Sequence, residues 1–540
     1  MLASKHLPKI VILLTILSLL FCVFIVYAAN AFDTTKITEY QKRMFGEEIV
    51  SIEIQADPAD WQNLMDNALL KPWISADIII NGERFSAVGI RTKGNSSLTM
   101  VRNNRYSLQI KMNKYVKGQT YYGLDTFCIN SMTADATYMK DYLSYEIMNF
   151  IGVATPLINY ATVKVNDADY GFLLVLERYD QAFLDRVYST SAGQLYNVKI
   201  QMGMRGNFED NWQDVANSFP GGQQRRTEGA GVPERRQGNV DGLPDRAQRG
   251  SGVVPPGENT GTGGFPEMPE GFDFGNMRPG DANFPEMPGE TRGFTDRGGM
   301  GMGGFGRDSG GSLIYTDDHI SSYPAIFDNA VFSKITDTDK QRVVTALKNL
   351  NTGSDLERYF DVDGILRYFA AHTVVVNLDS YISNMQQNYY IYELDGRLTI
   401  LPWDYNLAFG GFQSGNVSTV VNFPIDTPVS GVSMEDRPLL YKLLEVDEYR
   451  TGYYGYLQQI VEDYFESGLY ESSIHALDAK INEYVKDDSS AFFTHTQYEE
   501  SLPHLIALGY RNPLKILTLV LQHSLRGIMT RIFRARVFMR

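Results

Sequence analysis

The 540-residue sequence is poor in cysteine, histidine and positive charge. Two cysteines, Cys22 and Cys128, cannot build a disulfide framework, and the seven histidines include no pair at zinc-ligand spacing. With 49 basic against 64 acidic residues, the formal charge is −15, so the chain lacks the basic footprint that nucleic-acid binding needs. We therefore expect no nucleic-acid partner, and any metal must be bound by oxygen ligands.

The N-terminus indicates export. Lys5 and Lys9 precede an apolar run over residues 10–29, and small residues at 28–31 offer a cleavage site. About 20 apolar residues also suffice to span a bilayer as an uncleaved anchor. We predict that residues 1–31 are a signal peptide or a membrane anchor, and that the protein is extracytoplasmic, either secreted or anchored.

The segment 202–311 differs in composition from the rest of the chain. From Gly203 to Gly311 it contains 27 of the 48 glycines and 10 of the 21 prolines, and Leu243 is its only leucine or isoleucine. Ordering a backbone residue costs roughly 1–2 kcal/mol, and this segment has little apolar surface to offset that cost. We predict a disordered Gly/Pro-rich insertion.

The insertion separates two ordered halves, residues 33–201 and 312–540. The first half is rich in strands, with apolar alternation at 49–54 and a hairpin signal at Asn81-Gly82. The second half is mainly helical and contains one β-hairpin at 388–401; helical spacing covers 339–350, 363–376, 438–466 and 471–485. We predict an α+β architecture with a β-rich N-lobe, a helical C-lobe and a cleft between them.

The densest group of polar residues in apolar surroundings lies at 372–410. Asp379 follows an apolar helix, Asn388 opens the predicted hairpin and Asp404 follows its second strand, so a folded hairpin places all three at one end. Such a trio suits phosphoryl transfer, which needs a carboxylate at the hydroxyl and oxygen ligands for Mg²⁺. Singly, each residue is better explained as a loop or turn cap. A carboxylate-pair glycosidase also fits two acids but gives Asn388 no role.

Several segments resemble the CotH family of atypical protein kinases, which is named after a spore-coat protein. Four segments of this chain resemble the core of that family; they lie at 368–370 (YFA), 377–381 (NLDSY), 388–390 (NYY) and 401–410 (LPWDYNLAFG). Two more, at 91–97 (RTKGNSS) and 171–178 (GFLLVLER), resemble its glycine-asparagine-serine segment and its strand ending in glutamate. With gaps, the resemblance extends from about residue 48 to about residue 465.

The resemblance implies an atypical two-lobed protein-kinase-like fold that binds ATP with Mg²⁺ or Mn²⁺. It implies that Asp379 is the catalytic aspartate, and that Asn388 and Asp404 bind the metal. The phosphate acceptors would be hydroxyl side chains of envelope or surface proteins. The alternative is a non-catalytic cell-surface or coat assembly scaffold with the same fold.

A kinase also needs a strand lysine at the phosphates and a helix glutamate that holds this lysine. Lys111 with Glu146 is one candidate pair. Arg91, Lys93 and Arg105 compete with Lys111, and a solvent-facing strand lysine is an equally good interpretation.

Two further segments bear on the nucleotide. Glu177, at a strand end, lies where the connection between lobes would approach adenine, although a plain surface carboxylate fits nearly as well. The turn at 94–97 either presents backbone N–H groups to phosphates or is an ordinary hairpin loop.

The tail at 524–540 carries five arginines among apolar residues. This basic amphipathic pattern fits an anionic membrane surface, an acidic substrate, or a terminal helix that packs on the C-lobe and keeps its arginines in solvent. Membrane association is therefore possible through either end of the chain.

Overall fold

The structure is a computed structural model that describes residues 37–94, 98, 101, 103–199, 311–414 and 417–509. The predicted leader, the predicted insertion apart from Gly311, residues 95–97 and the basic tail at 524–540 lie outside the described residues. Across the described ranges, no helix combines the length and the apolar character needed to cross a bilayer. The architecture is α+β, as the sequence predicts.

Seven strands of the first half close into a barrel. They are β1 Val50–Ala56, β2 Ile74–Ile80, β3 Glu83–Lys93, β4 Ser107–Lys111, β5 Thr126–Asn130, β6 Ile158–Val165 and β7 Ala168–Glu177. Neighbours pair in the order β1-β2-β3-β4-β5-β7-β6, and a parallel pairing of β1 with β6 closes the barrel.

The apolar alternation of the strands fills the barrel. Ile52, Ile54 and Ile110 are fully buried in a hydrophobic core that is formed inside the barrel. Asn81 and Gly82 connect β2 to β3 with φ angles of 49° and 83°, the left-handed conformation that a two-residue hairpin turn requires. The predicted strand at 49–54 and the turn at Asn81-Gly82 are both confirmed.

The barrel strands are accompanied by the helices α1 Glu39–Met44, α2 Pro58–Asp66, α3 Lys140–Phe150 and α4 Gln181–Tyr188. The Asp57 carboxylate accepts the Ala59 N–H at 2.8 Å and so caps α2, with Pro58 at its first position. Asp135 Oδ2 accepts the Lys140 N–H at 2.8 Å. This bond holds the start of α3, the helix that contributes to the site below.

The second half forms the helical region. Its α-helices are α5 Pro324–Phe327, α6 Asp337–Thr352, α7 Leu356–Tyr359, α8 Val362–Val375, α9 Val417–Val421, α10 Pro438–Glu445, α11 Asp447–Gln459 and α12 Leu469–Asp487. A 3-10 turn at Ile320–Ser322 precedes α5, a π-helix at Ile460–Glu466 follows α11, and residues 495–509 are helical. The sequence predicts one helix over 438–466; this is wrong, because Val446 is extended and separates α10 from α11.

A second sheet of three strands lies in the helical region. It consists of β8 Gln194–Val198, β9 Tyr389–Leu394 and β10 Arg397–Pro402, with β9 in the centre. The predicted hairpin at 388–401 is confirmed, and it turns at Asp395-Gly396 with φ angles of 52° and 85°. The range 33–201, predicted as the N-lobe, therefore ends in a strand, β8, that belongs to the second sheet.

A buried ion pair joins the barrel to the helical region. Arg105, just before β4, donates to Asp488 Oδ2 at 2.7 Å, and both side chains are 1% exposed. Arg105 also donates to the Phe172 carbonyl oxygen on β7 at 2.5 Å. Gly171 allows this approach, because a Cβ at its φ of 139° would lie 2.4 Å from Ser490 Oγ. Arg105 is thus a clamp between the two parts.

Candidate active site

The second sheet brings three strand ends together. Its register aligns the end of β8, the start of β9 and the end of β10. The residues just beyond the three strands, Lys199, Asn388 and Trp403, therefore lie side by side, and Asp404 follows Trp403. We call this place the strand-end edge and define it by Lys199, Asn388 and Asp404.

Asp379 reaches this edge from the loop after α8. Val376 adopts a left-handed φ of 46° and ends the helix. Asn377 Oδ1 then accepts the Asp379 N–H at 3.2 Å, and Asn377 Nδ2 donates to the Asp404 carbonyl oxygen at 3.2 Å. The side-chain amide of Asn377 thus forms hydrogen bonds with the backbones of both Asp379 and Asp404.

The carboxylate of Asp379 accepts two side-chain hydrogen bonds. Gln387 Nε2 donates to Oδ1 at 2.8 Å, and Asn388 Nδ2 donates to Oδ2 at 3.0 Å and to the Asp379 carbonyl oxygen at 2.8 Å. Burial raises the pKa of Asp379, and the charge of Asp404 adds to the increase, although both hydrogen bonds oppose it. A fixed carboxylate with a raised pKa is a better proton acceptor than a free one.

His372 supports the same loop from the core. Its Nε2 lies 3.1 Å from the Asn377 carbonyl oxygen, and its Nδ1 lies 2.8 Å from Tyr405 Oη. Burial lowers the pKa of His372 to about 4, so the ring is neutral at physiological pH. His372 is therefore a hydrogen-bonded histidine of the core.

Asp404 is held by its backbone while its carboxylate stays available. Its N–H donates to Tyr145 Oη at 3.1 Å, and its φ is 64°. Asn388 has a similar φ of 60°; this conformation costs roughly 1–2 kcal/mol for a residue with a side chain. Among the described residues, no group donates a hydrogen bond to the Asp404 carboxylate. Strained backbone and an unpartnered carboxylate are typical of a functional site.

Asp141 is a third acid at this site, and the sequence analysis missed it. It lies in the first turn of α3, where its Oδ1 accepts the Tyr405 N–H at 2.7 Å. Burial and the charge of Asp404 raise the pKa of Asp141 to about 7. In the sequence, an acid in the first turn of a helix indicates only a favourable interaction with the helix dipole. The position of Asp141 in the sequence therefore does not identify its place at this site.

Lys93 faces the aspartates from the barrel. Its Nζ donates to Asn130 Oδ1 at 2.9 Å and lies 5.2 Å from the centre of the Trp403 ring. Arg91, two residues earlier on β3, donates to Gln109 Oε1 and stacks on the Trp73 ring at 4.5 Å. The structure thus brings the predicted residue Lys93 to the strand-end edge and places Arg91 further along the same strand face.

Lys111 and Glu146 do not form the predicted pair. Lys111 Nζ lies 3.9 Å from Asp125 Oδ2, whereas Glu146 accepts a hydrogen bond from Ser473. Lys111 pairs with Gly89, four residues before Lys93 on β3, which is roughly 13 Å along the strand. Strand alternation places Lys111 on the same face of the sheet as Lys93. The register between β3 and β4, however, places Lys111 away from the aspartates.

Glu177 is fully buried, which overturns its interpretation as a surface carboxylate. Its oxygens accept from Tyr40 Oη at 2.7 Å and from the Leu157 N–H at 3.0 Å, and it forms an ion pair with Arg186. These partners occupy the carboxylate, so it is not directed at an adenine. Helices α1 and α4 cover this strand end, which the sequence of the strand does not indicate.

The sequence also gives no indication of two charged residues at the ends of strands, Asp180 after β7 and Lys199 after β8. Burial lowers the pKa of Lys199 to about 8, and the nearby positive charges of Arg178, Lys71 and Lys93 lower it further. Asp180 caps α4 through the Ala182 N–H, while its Oδ2 is buried without a hydrogen-bond partner; burial raises the pKa of Asp180 to about 7. No sequence motif marks these residues.

The oxygen donors at the strand-end edge fit a divalent metal. The described part of the chain contains no group of three or more His, Cys, Asp or Glu side chains that could hold a metal ion. Asp404 offers an unpartnered carboxylate, and Asn388 retains its amide oxygen because its Nδ2 is used by Asp379. Oxygen ligands of this kind suit Mg²⁺, which keeps several waters and binds substrate phosphates.

Comparison with known proteins gives a match over two segments of the chain. A family model described as CotH kinase protein matches residues 90–231 and 306–510. The match includes Asp379, Asn388 and Asp404 as well as Lys93. No curated protein matches the chain.

Proposed function

We propose that this chain, which belongs to the CotH kinase protein family, is an exported protein kinase that transfers the γ-phosphate of ATP to hydroxyl side chains. One observation carries the proposal. Asp379, Asn388 and Asp404 form a single hydrogen-bonded group that Asn377 ties together, in a region where burial and like charge raise the pKa of Asp379.

The residues of this group divide the chemistry between them. Asp379, fixed by Gln387 and Asn388, orients the acceptor hydroxyl and takes its proton. Asp404 and the amide oxygen of Asn388 would hold Mg²⁺ or Mn²⁺, which when bound neutralises charge on the phosphates. Transfer then depends on positioning and electrostatics more than on covalent chemistry.

The barrel and the helical region act as the two lobes of a kinase in this proposal. Lys93 extends from β3 of the barrel toward Trp403 and contacts the phosphates, which is the role of the strand lysine in kinases. Its hydrogen bond to Asn130 fixes the side chain without neutralising its charge. Lys93 takes this role in place of Lys111.

The predicted leader at residues 1–31 supports export, and we therefore propose that the acceptor hydroxyls belong to envelope or surface proteins. The apolar run at 10–29 either is cleaved or anchors the chain. The five arginines at 524–540 offer a second contact with an anionic surface.

A non-catalytic scaffold is less well supported. A scaffold gains nothing from burying Asp379, Asp141 and Lys199, because burial disfavours the charged form of each group. A site that binds metal and phosphate regains this free energy when the ligand arrives.

The test is phosphate transfer by the full chain from γ-labelled ATP with Mg²⁺ or Mn²⁺, to itself and to envelope proteins. We expect incorporation by the wild type, and loss of it in Asp379→Asn and Asp404→Asn with unchanged circular dichroism. Lys164→Met, a half-exposed lysine on β6, is the matched control and retains transfer. No incorporation by a folded wild type would refute the proposal.

A further inference from the structure

We propose that Lys199, the residue that follows β8 of the second sheet, is a second phosphate-binding residue that acts together with Lys93 of the barrel. The inference rests on the proposed function, since it assumes that the strand-end edge receives a nucleotide. Lys199, which belongs to no sequence motif, is thereby added to the proposed nucleotide-binding residues. The nucleotide's polyphosphate would then be held by one lysine from each part of the molecule.

The strand register carries the first part of the argument. In the antiparallel pairing of β8 with β9, Val198 lies opposite Tyr389. One step further, Lys199 lies opposite Asn388, whose amide oxygen we assign to the metal. The Lys199 N–H donates to the Ala325 carbonyl oxygen at 3.2 Å, so its backbone is fixed at this place.

The surrounding charges carry the second part. The ammonium group of Lys199 lies within electrostatic range of Asp404 and of three cations, Arg178, Lys71 and Lys93. Within the described ranges, no carboxylate forms an ion pair with Lys199 or Lys93. The positive charges of Lys199 and Lys93 repel one another, and an anion relieves this repulsion.

The position specifies the class of anion. A phosphate chain that is bound through Mg²⁺ at Asp404 and Asn388 carries several negative charges past both lysines. Lysine binds phosphate as a compact point charge, and two lysines at one site favour a polyphosphate with several negative charges. A nucleoside monophosphate carries fewer negative charges and lacks the β- and γ-phosphates that the metal would bind. We therefore expect Lys199 to select triphosphates over monophosphates.

A substitution series on the full chain tests this role. Lys199→Met removes the charge, Lys199→Arg keeps it, and Lys164→Met removes an exposed lysine charge from β6 of the barrel. Calorimetry measures the dissociation constants of Mg-ATP, AMP and inorganic tripolyphosphate for each protein. Loss of a charge-assisted hydrogen bond weakens binding by about ten- to a hundredfold.

In Lys199→Met we expect this weaker binding for Mg-ATP and tripolyphosphate, while AMP binding stays unchanged. In Lys199→Arg and Lys164→Met the dissociation constants of all three ligands should be near those of the wild type. The melting temperature of ligand-free Lys199→Met should rise, because a buried like charge is removed; this separates lost binding from misfolding. In the transfer assay, KM for ATP increases more than kcat falls.

Two results would overturn the inference. The first is equal binding of Mg-ATP and tripolyphosphate by the wild type and Lys199→Met. The second is an equal loss for AMP and ATP, which would indicate a general structural defect. If polyphosphate binding depends on Lys199 but no phosphate is transferred to any protein, the inference stands and the kinase proposal fails.

Discussion

The barrel interior and the strand-end edge use burial in opposite ways. Inside the barrel, Ile52, Ile78 and Ile110 are fully buried among other apolar side chains. At the strand-end edge, the buried groups are charged, and burial raises the pKa of Asp379 and lowers that of Lys199. The first region stabilises the fold, whereas the second gives up stability to keep charges ready for a ligand.

Arg105 shows that burial of charge alone does not mark function. Its guanidinium is as buried as any group at the strand-end edge, yet it has the carboxylate of Asp488 and the Phe172 carbonyl oxygen as partners. Asp404 and Lys199 have no such partners among the described residues. The informative difference is therefore whether a buried charge is paired.

The largest expected effect comes from Asp404→Asn. Metal stabilisation of a transferring phosphate is worth several kcal/mol, so we expect transfer to fall roughly a thousandfold. The melting temperature of the ligand-free protein should stay equal or rise, because a charge near Asp379 and Asp141 is removed. Labelled transfer and thermal melting measure both quantities. A strongly destabilised variant would show that Asp404 is a structural residue.

Arg105→Met tests the paired charge. Removing one partner leaves Asp488 buried without its counter-ion, and we expect a loss of about 3–5 kcal/mol in the free energy of unfolding. The control is Arg43→Met, which breaks an exposed pair with Glu39 and should cost little, because solvent screens an exposed pair. Urea titration compares the two variants. Similar small losses would mean that the clamp does not hold the barrel to the helical region.

Ile110→Ala tests the apolar side of the comparison. Truncation of a fully buried isoleucine costs about 2–5 kcal/mol, while the same change at Leu70, which is 66% exposed, should cost almost nothing. Because the barrel interior does not contact the phosphates, the transfer rate per folded molecule should not change. Chemical unfolding measures the loss of stability. The transfer rate is measured at a temperature where the variant is folded. A lower rate in the folded variant would contradict the division of roles.

Asp180→Asn gives the smallest effect and a pH signature. Burial, followed by the charge of Glu177, raises the pKa of Asp180 from 3.8 to about 7. Between these values the folded state holds a proton that the unfolded state has lost, so stability falls as the pH rises. Asparagine can still cap α4.

We expect Asp180→Asn to exceed the wild type by about 1–3 kcal/mol at pH 8. The difference should vanish below about pH 4, where the carboxyl is protonated in both states. Urea titrations across this range measure it. A constant difference at every pH would show that charge is not the cause.

Much of the site follows from local sequence. Asp379, Asn388 and Asp404 flank a helix end and a hairpin whose turn, Asp395-Gly396, is a strong local signal. Local rules of this kind are sufficient to place all three at one end of the hairpin. The α+β class follows in the same way from alternation and helical spacing.

The remaining residues depend on long-range pairing. Lys199 reaches the edge because β8 pairs with β9, which lies almost two hundred residues later, beyond the Gly/Pro-rich segment; no local pattern predicts that contact. Lys111 lies away from the edge for a related reason, since alternation gives its face but only register gives its position. Glu177 is buried by helices distant in sequence.

The most direct test of the account measures whether the strand-end edge binds Mg-ATP. Urea unfolding of the full chain is compared with Mg-ATP, with ATP plus EDTA, and without nucleotide, for the wild type and Asp404→Asn. We predict a gain of about 2.7 kcal/mol at 100 times Kd that requires both the metal and Asp404. No gain in the wild type, or an equal gain in Asp404→Asn, would contradict the central claim.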